Sequence, residues 1–454
     1  MARSTPLAVE LGLSPSAAGG EARTVVVDSC SYNCQNVGDL AMLITAVSRL
    51  RRLQPSASIR VITNAPALTE RHCGDVGTVP VRGRRLILQE RLLGPMARLM
   101  PAAASALWTE VEDRLRMRRP AWFELSLRVK QRLSHRDAAD AGSFLSAVKT
   151  ADLVVVSGAG VMTDAFAENA FGILATLDLA QRCGVPTAMV GQGVGPIAGS
   201  RLRQRAAEVL RRVRLIAVRE RLASVPLLVS LGVDPARILV TGDDAIEFVH
   251  ATARPSADEQ ARPSEKIGVS LRVASYAQVN AAVLALLRGV LERSARQHRA
   301  RVTAIPIAHH GGGMDIGTLR DLLTGVGSED DGFQLDTPQE VIARVGECRI
   351  VVTGSYHAAV FALAQGIPAV GLTGSPYYVN KLRGLAEQFG GGCEVVGLDG
   401  PGLEARISAA IDRAWGSADR VRPALLDAAA RQIRLGRAAF ARIWELTATP
   451  ALLT

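Results

Sequence analysis

At 454 residues the chain exceeds what one ordinary hydrophobic core supports, so two domains of roughly 200 residues each are expected. A composition 48% apolar but only 4% aromatic is that of an α/β protein and excludes a disordered or fibrous chain. The formal net charge of +10 reads either as arginines solvating helix faces or as a field that draws in anions, and with no Lys/Arg stripe interleaved with aromatics no nucleic-acid partner is expected.

Residues 1–22 are rich in Ala, Ser, Pro and Gly and are expected to be a mobile tail. They show no charged-then-apolar secretory pattern, and no apolar run is long enough to cross a bilayer, so a soluble cytoplasmic protein is expected. The six scattered cysteines form no CxxC pair and read as reduced thiols. Thr24-Val25-Val26-Val27 predicts a buried strand, 40–53 an amphipathic helix and Ile59-Arg60-Val61-Ile62 the next strand, which together make a βαβ unit. Residues 84–146 are Arg-rich, read as a helical insertion, and break the alternation. Within it, 110–136 reads either as a solvated face or as the candidate surface for peripheral membrane contact or a second copy of the chain.

The alternation resumes with Leu153-Val154-Val155-Val156 and the loop Ser157-Gly158-Ala159-Gly160, then a helix near 172–183. The strand Thr187-Ala188-Met189-Val190 runs into Gly191-Gln192-Gly193-Val194-Gly195-Pro196, the strand Leu215-Ile216-Ala217-Val218 ends on Arg219, and Ile238-Leu239-Val240 ends at Gly242-Asp243-Asp244. The polar, proline-bearing stretch 251–266 is the expected linker between a domain at 23–250 and one at 267–424.

Beyond the linker, strands are predicted at Ile267-Gly268-Val269-Ser270, Val302-Thr303-Ala304-Ile305-Pro306, Arg349-Ile350-Val351-Val352 and Ala369-Val370-Gly371-Leu372, with helices at 278–297 and 338–345. A last helix, placed at 425–446 within a C-terminal segment 425–454, is expected to pack across the domain junction. The fold class is therefore α/β, two Rossmann-like parallel-sheet domains facing a cleft, in the manner of GT-B glycosyltransferases.

Candidate chemistry gathers at the strand ends. His357 follows an apolar strand and opens a helix, with Ser355 and Tyr356 in the same turn, where an open α/β sheet binds ligands. Arg219, directly after a strand, suits bidentate recognition of a carboxylate or phosphate, although a surface salt bridge with Glu220 or a neighbour would also explain it. Asn36, Gly38 and Asp39 offer polar groups and close backbone approach to sugar hydroxyls, or make a plain turn. Gly158, Gly160, Gln192 and Gly193 sit in glycine turns at one sheet edge, which fit the acceptor side of a ligand cleft and are not Walker loops. Asp243 and Asp244 read equally as a helix cap or as cleft residues. His309, beside His310, reads as part of a polar cleft loop rather than a metal site, and Lys381 after Tyr377-Tyr378 as a neutraliser of an anionic group.

In their order these motifs resemble the polysaccharide pyruvyl transferase family over about residues 24–390. The resemblance rests on Asn36-Val37-Gly38-Asp39, Ser157 to Gly160, Gly191 to Pro196, Val218-Arg219-Glu220 and Asp243-Asp244. In the second half it rests on Val269-Ser270-Leu271-Arg272, the His357 turn and Tyr378 through Lys381. It implies a GT-B-like fold and transfer of the enolpyruvyl carbon of phosphoenolpyruvate to two sugar hydroxyls as a cyclic ketal, with no cofactor required. It further implies that Arg219 binds the anionic donor and His357 acts as general acid, with Asn36 and Asp39 facing the acceptor sugar. Assigned members commonly carry Arg-x-His where this chain has Ser355-Tyr356-His357, and Arg272 or Lys381 would then supply the charge. That departure keeps a nucleotide-sugar glycosyltransferase open as a second reading, and a non-catalytic glycan-binding protein as a third.

Overall fold

The protein is described from a computed structural model covering residues 23–86, 139–253, 265–271, 280–308, 314–324, 326 and 335–447, with isolated positions 101, 104, 108 and 111. The expected tail, the 110–136 surface except Val111, most of the linker, Arg272 and His309 lie outside the described residues.

Two all-parallel sheets form the frame. The first has seven strands: β1 (Thr24–Asp28), β2 (Ser58–Thr63), β3 (Gly77–Pro80), β4 (Leu153–Val156), β5 (Thr187–Gln192), β6 (Leu215–Val218) and β7 (Ile238–Val240), in the order β3-β2-β1-β4-β5-β6-β7. The second has five: β8 (Lys266–Ser270), β9 (Arg301–Ala304), β10 (Ile350–Thr353), β11 (Ala369–Thr373) and β12 (Cys393–Gly397), in the order β12-β11-β10-β8-β9. Central strands such as β4 and β10 are wholly apolar or nearly so, because helices cover both of their faces. Each sheet reverses its strand order once, between β1 and β4 and between β8 and β10. At such switch points the loops beyond the strand ends part and leave a crevice. The first switch point delivers Gly38, Asp39 and Gly160, and the second delivers His357.

The helix Tyr356–Ala364 is buried at all nine positions, as its run of apolar residues on every side requires. It packs in a core shared by both domains, with Val37, Met42 and Ile246 from the first and Ile305 and Val341 from the second. The helix Leu403–Glu445 begins well before residue 425, after Gly402 in the left-handed conformation, and continues through Pro423. Ile407 and Ile411 pack on the second sheet, Leu425 and Ile433 in the shared core, and Phe440 and Ile443 beneath the first sheet. One continuous helix thus touches both domains. Among the described residues no helix is long and apolar enough to cross a membrane.

Candidate functional site

The turn before His357 is fixed by its own side chains. The Thr353 hydroxyl oxygen accepts from the Ser355 N–H at 2.7 Å and donates to the Ser355 carbonyl at 3.0 Å. Ser355 is buried and serves as the residue ahead of the helix, and His357 occupies the first turn. The start of the helix Val37–Leu53 abuts its ring: a methyl group added at Gly38 would fall 2.0 Å from the imidazole Cγ. His357 Nε2 is buried without a hydrogen-bond partner, 3.8 Å from Asp243 Oδ2 and 4.0 Å from Asp39 Oδ1. Burial holds this histidine below its ordinary value, the two carboxylates oppose that, and Arg219 and Lys381 add to it.

Arg219 leaves β6 into the same space. Its Nη1 donates to Asp243 Oδ2 at 2.9 Å, both side chains being buried, and its guanidinium lies 4.7 Å from the centre of the Tyr356 ring. Its Nη2 is buried with no partner. Glu220 is not the counter-ion: it accepts from the Ala223 and Ser224 N–H groups at 2.8 Å each and so starts the helix Ser224–Ser230.

Lys381 approaches from the opposite domain, on the helix Pro376–Phe389. Its ammonium lies 4.0 Å from the centre of the Tyr377 ring and donates to the Tyr377 hydroxyl, which in turn donates to the Gly160 carbonyl at 2.7 Å. A methyl group at Gly160 would fall 2.1 Å from Lys381 Nζ and 3.0 Å from Arg219 Nη2, and one at Gly193 would fall 3.1 Å from Arg219 Nη2. The glycines are therefore what admits two cations to one pocket, lined by Gly193, Arg219 and Ala223 on one side and Tyr356, Asn380 and Lys381 on the other.

The expected acceptor residues divide. Gly38, Asp39, Gly160 and Gly193 surround His357 and Arg219 as just described. Asn36 instead spends its side-chain oxygen on the Gly38 and Asp39 N–H groups, at 3.0 and 3.2 Å, as a helix cap. Gln192 is fully buried and donates to the Val156 and Val190 carbonyls, and Gly158 makes room for the Met42 methyl group. These three hold the frame. Asp243 both caps, accepting from the Ala245 N–H at 2.9 Å, and pairs with Arg219, so the two readings of that aspartate hold together. Tyr377 is the residue that sequence reasoning passed over, because its partner Gly160 is remote in the chain.

The sequence profile of the family described as Polysaccharide pyruvyl transferase matches residues 36–376, from the Asn36 cap to the start of the helix bearing Lys381. The chain belongs to the polysaccharide pyruvyl transferase family. No curated protein matches it. Among solved structures it is similar to Anabaena Alr3699/HepE in complex with UDP, at 14% identity over 93% of this chain and 98% of that chain, with a TM-score of 0.52. It is also similar to a putative UDP-N-acetylglucosamine 2-epimerase from Listeria monocytogenes, at 11% identity over 93% and 95% of the two chains and a TM-score of 0.55. For UDP-GlcNAc 2-epimerase from Neisseria meningitidis bound to UDP-GlcNAc the values are 10%, 94%, 100% and 0.54. This pyruvyl transferase family member is thus a GT-B-like transferase of the glycan-biosynthesis kind.

Proposed function

We propose that the protein transfers a pyruvyl group from phosphoenolpyruvate to a sugar of a glycan or glycoconjugate precursor, as a ketal. The observation that carries the reading is the convergence of Arg219 and Lys381, from opposite domains, on one pocket beside His357. The buried Nη2 of Arg219, with no acceptor of its own, is costly unless an anion takes its hydrogens.

In this reading Arg219 and Lys381 hold the donor's carboxylate and phosphate. Burial depresses His357 most; donor charge offsets the two cations that add to it, and the histidine then carries a proton for the methylene carbon. An acceptor hydroxyl bonds to the carbon that becomes electrophilic, a second hydroxyl displaces phosphate, and the hydroxyl protons leave with phosphate and solvent. Gly38 and Asp39 bring the first domain to within reach of that centre.

A second reading, a glycosyltransferase using a nucleotide sugar, is favoured by Ser355 in place of the family's usual arginine and by the UDP-bound relatives. Thermal stabilisation separates the two. Phosphoenolpyruvate is expected to raise the melting temperature, and the rise to vanish in His357→Ala and Arg219→Ala. A rise with UDP-glucose alone would sink the pyruvyl reading.

A further inference from the structure

We propose that Asp243 is the positioning residue for His357: it holds the protonated imidazole through Nε2, in a dyad assembled across the domain interface. This goes beyond the donor assignment and holds whichever anion the cleft takes.

The carboxylate is fixed from several directions. Oδ1 accepts from the Ala245 N–H and Oδ2 from Arg219 Nη1, both at 2.9 Å. The preceding Gly242 has φ +83°, and a methyl group there would fall 2.1 Å from Gln432 Oε1 on the long C-terminal helix. The following Asp244 is ion-paired to the buried Arg49. Asp243 therefore has little freedom to swing, while its Oδ2 lies 3.8 Å from the unpartnered His357 Nε2. A closure of under about 1 Å brings that pair to hydrogen-bond distance.

Four other charged or titratable groups face the imidazole: Asp39 from the helix Val37–Leu53, Arg219 beyond β6, Lys381 from the helix Pro376–Phe389, and Tyr356 beside it. The cations oppose its protonation. Of the two carboxylates, Asp39 is 4.0 Å away with its side chain 19% exposed, whereas that of Asp243 is 0% exposed. Water screens the first far more than the second, so Asp243 dominates.

A bystander Asp243 would act on His357 through charge alone, so its removal would matter no more than that of Asp39, whereas a carboxylate that receives the Nε2 proton matters more. The test uses the full chain with isotope-labelled histidine, the His357 signal being assigned by its loss in His357→Gln. Asp243→Asn keeps an oxygen for the Ala245 N–H and removes the charge. Its His357 midpoint is expected at least about one unit below wild type, or below the pH of unfolding, and to fall further than in Asp39→Asn. Asp243→Glu should restore part of the shift. A midpoint that moves no more in Asp243→Asn than in Asp39→Asn overturns the proposal. Should Asp243→Asn not fold, the nitrogen shifts of the wild-type protein decide: the neutral ring should carry its proton on Nε2, and a proton on Nδ1 overturns the dyad.

Discussion

The Tyr377 hydroxyl donates to the Gly160 carbonyl at 2.7 Å, and this bond joins the second domain to the glycine loop of the first at the edge of the cation pocket. The same hydroxyl receives Lys381, so the bond that closes the cleft also aims the ammonium. Tyr377→Phe is expected to cost about 0.5–1.5 kcal/mol in urea denaturation, the net value of one such hydrogen bond. Anion affinity should fall with it, because Lys381 loses its hydroxyl anchor.

Gly38 is the point where the first domain touches the His357 ring. Gly38→Ala would set a methyl group 2.0 Å from the imidazole Cγ, with the ring boxed in by Tyr356 and Phe361. Overpacking of this kind costs about 1–3 kcal/mol. The variant should melt earlier and lose donor-induced stabilisation, read in one thermal-shift series.

The acid-side pH dependence of stability should carry contributions from His357 and Glu247. His357 lies below its ordinary 6.5 in the folded protein, chiefly through burial, so the unfolded chain takes up that proton first. Stability therefore falls as pH drops below about 6.5, and His357→Gln should shrink that loss, the remainder coming from His72, which burial also depresses. Glu247 is held at about 2 against an ordinary 4.5: burial opposes its ionisation, but Arg49 and Arg52 outweigh it. Its contribution is full above 4.5 and is lost as pH falls toward 2. Melting temperature against pH, for wild type and His357→Gln, checks both.

The frame was legible in the sequence where burial on both faces leaves an unbroken apolar run, as in β4, β5, β6 and β10. At the sheet edges β7 and β9 were legible too, but β3 and β12 were not. β3 is Gly-Thr-Val-Pro and β12 Cys-Glu-Val-Val-Gly, short and partly exposed, with a glycine or proline at the ends. His357 and Arg219 were readable because each stands at the end of a buried strand. The direction of Asn36 and Gln192 was not, since each satisfies nearby backbone groups that a strand pattern does not reveal. The pairing of Tyr377 with Gly160 spans 217 residues and belongs to the docking of two domains.

The C-terminal helix is secured by charge as well as by packing. Arg49 is buried over Phe440 and pairs with Asp244 and with Glu247, the latter at 2.6 Å, while Arg437 of the helix reaches the same Glu247 at 2.9 Å. Arg49→Met would leave the buried Asp244 carboxylate without its cation. Breaking such a pair costs about 3–5 kcal/mol, which denaturant titration will register.

Calorimetric titration with phosphoenolpyruvate reads out whether Arg219 and Lys381 grip one anionic donor from two domains. Arg219→Gln and Lys381→Met should each weaken binding by roughly 10- to 100-fold, the loss of one charge-assisted contact of about 1.5–3 kcal/mol. Binding that survives both substitutions unchanged, or no binding in wild type while UDP-glucose binds, would rule out this shared grip on phosphoenolpyruvate.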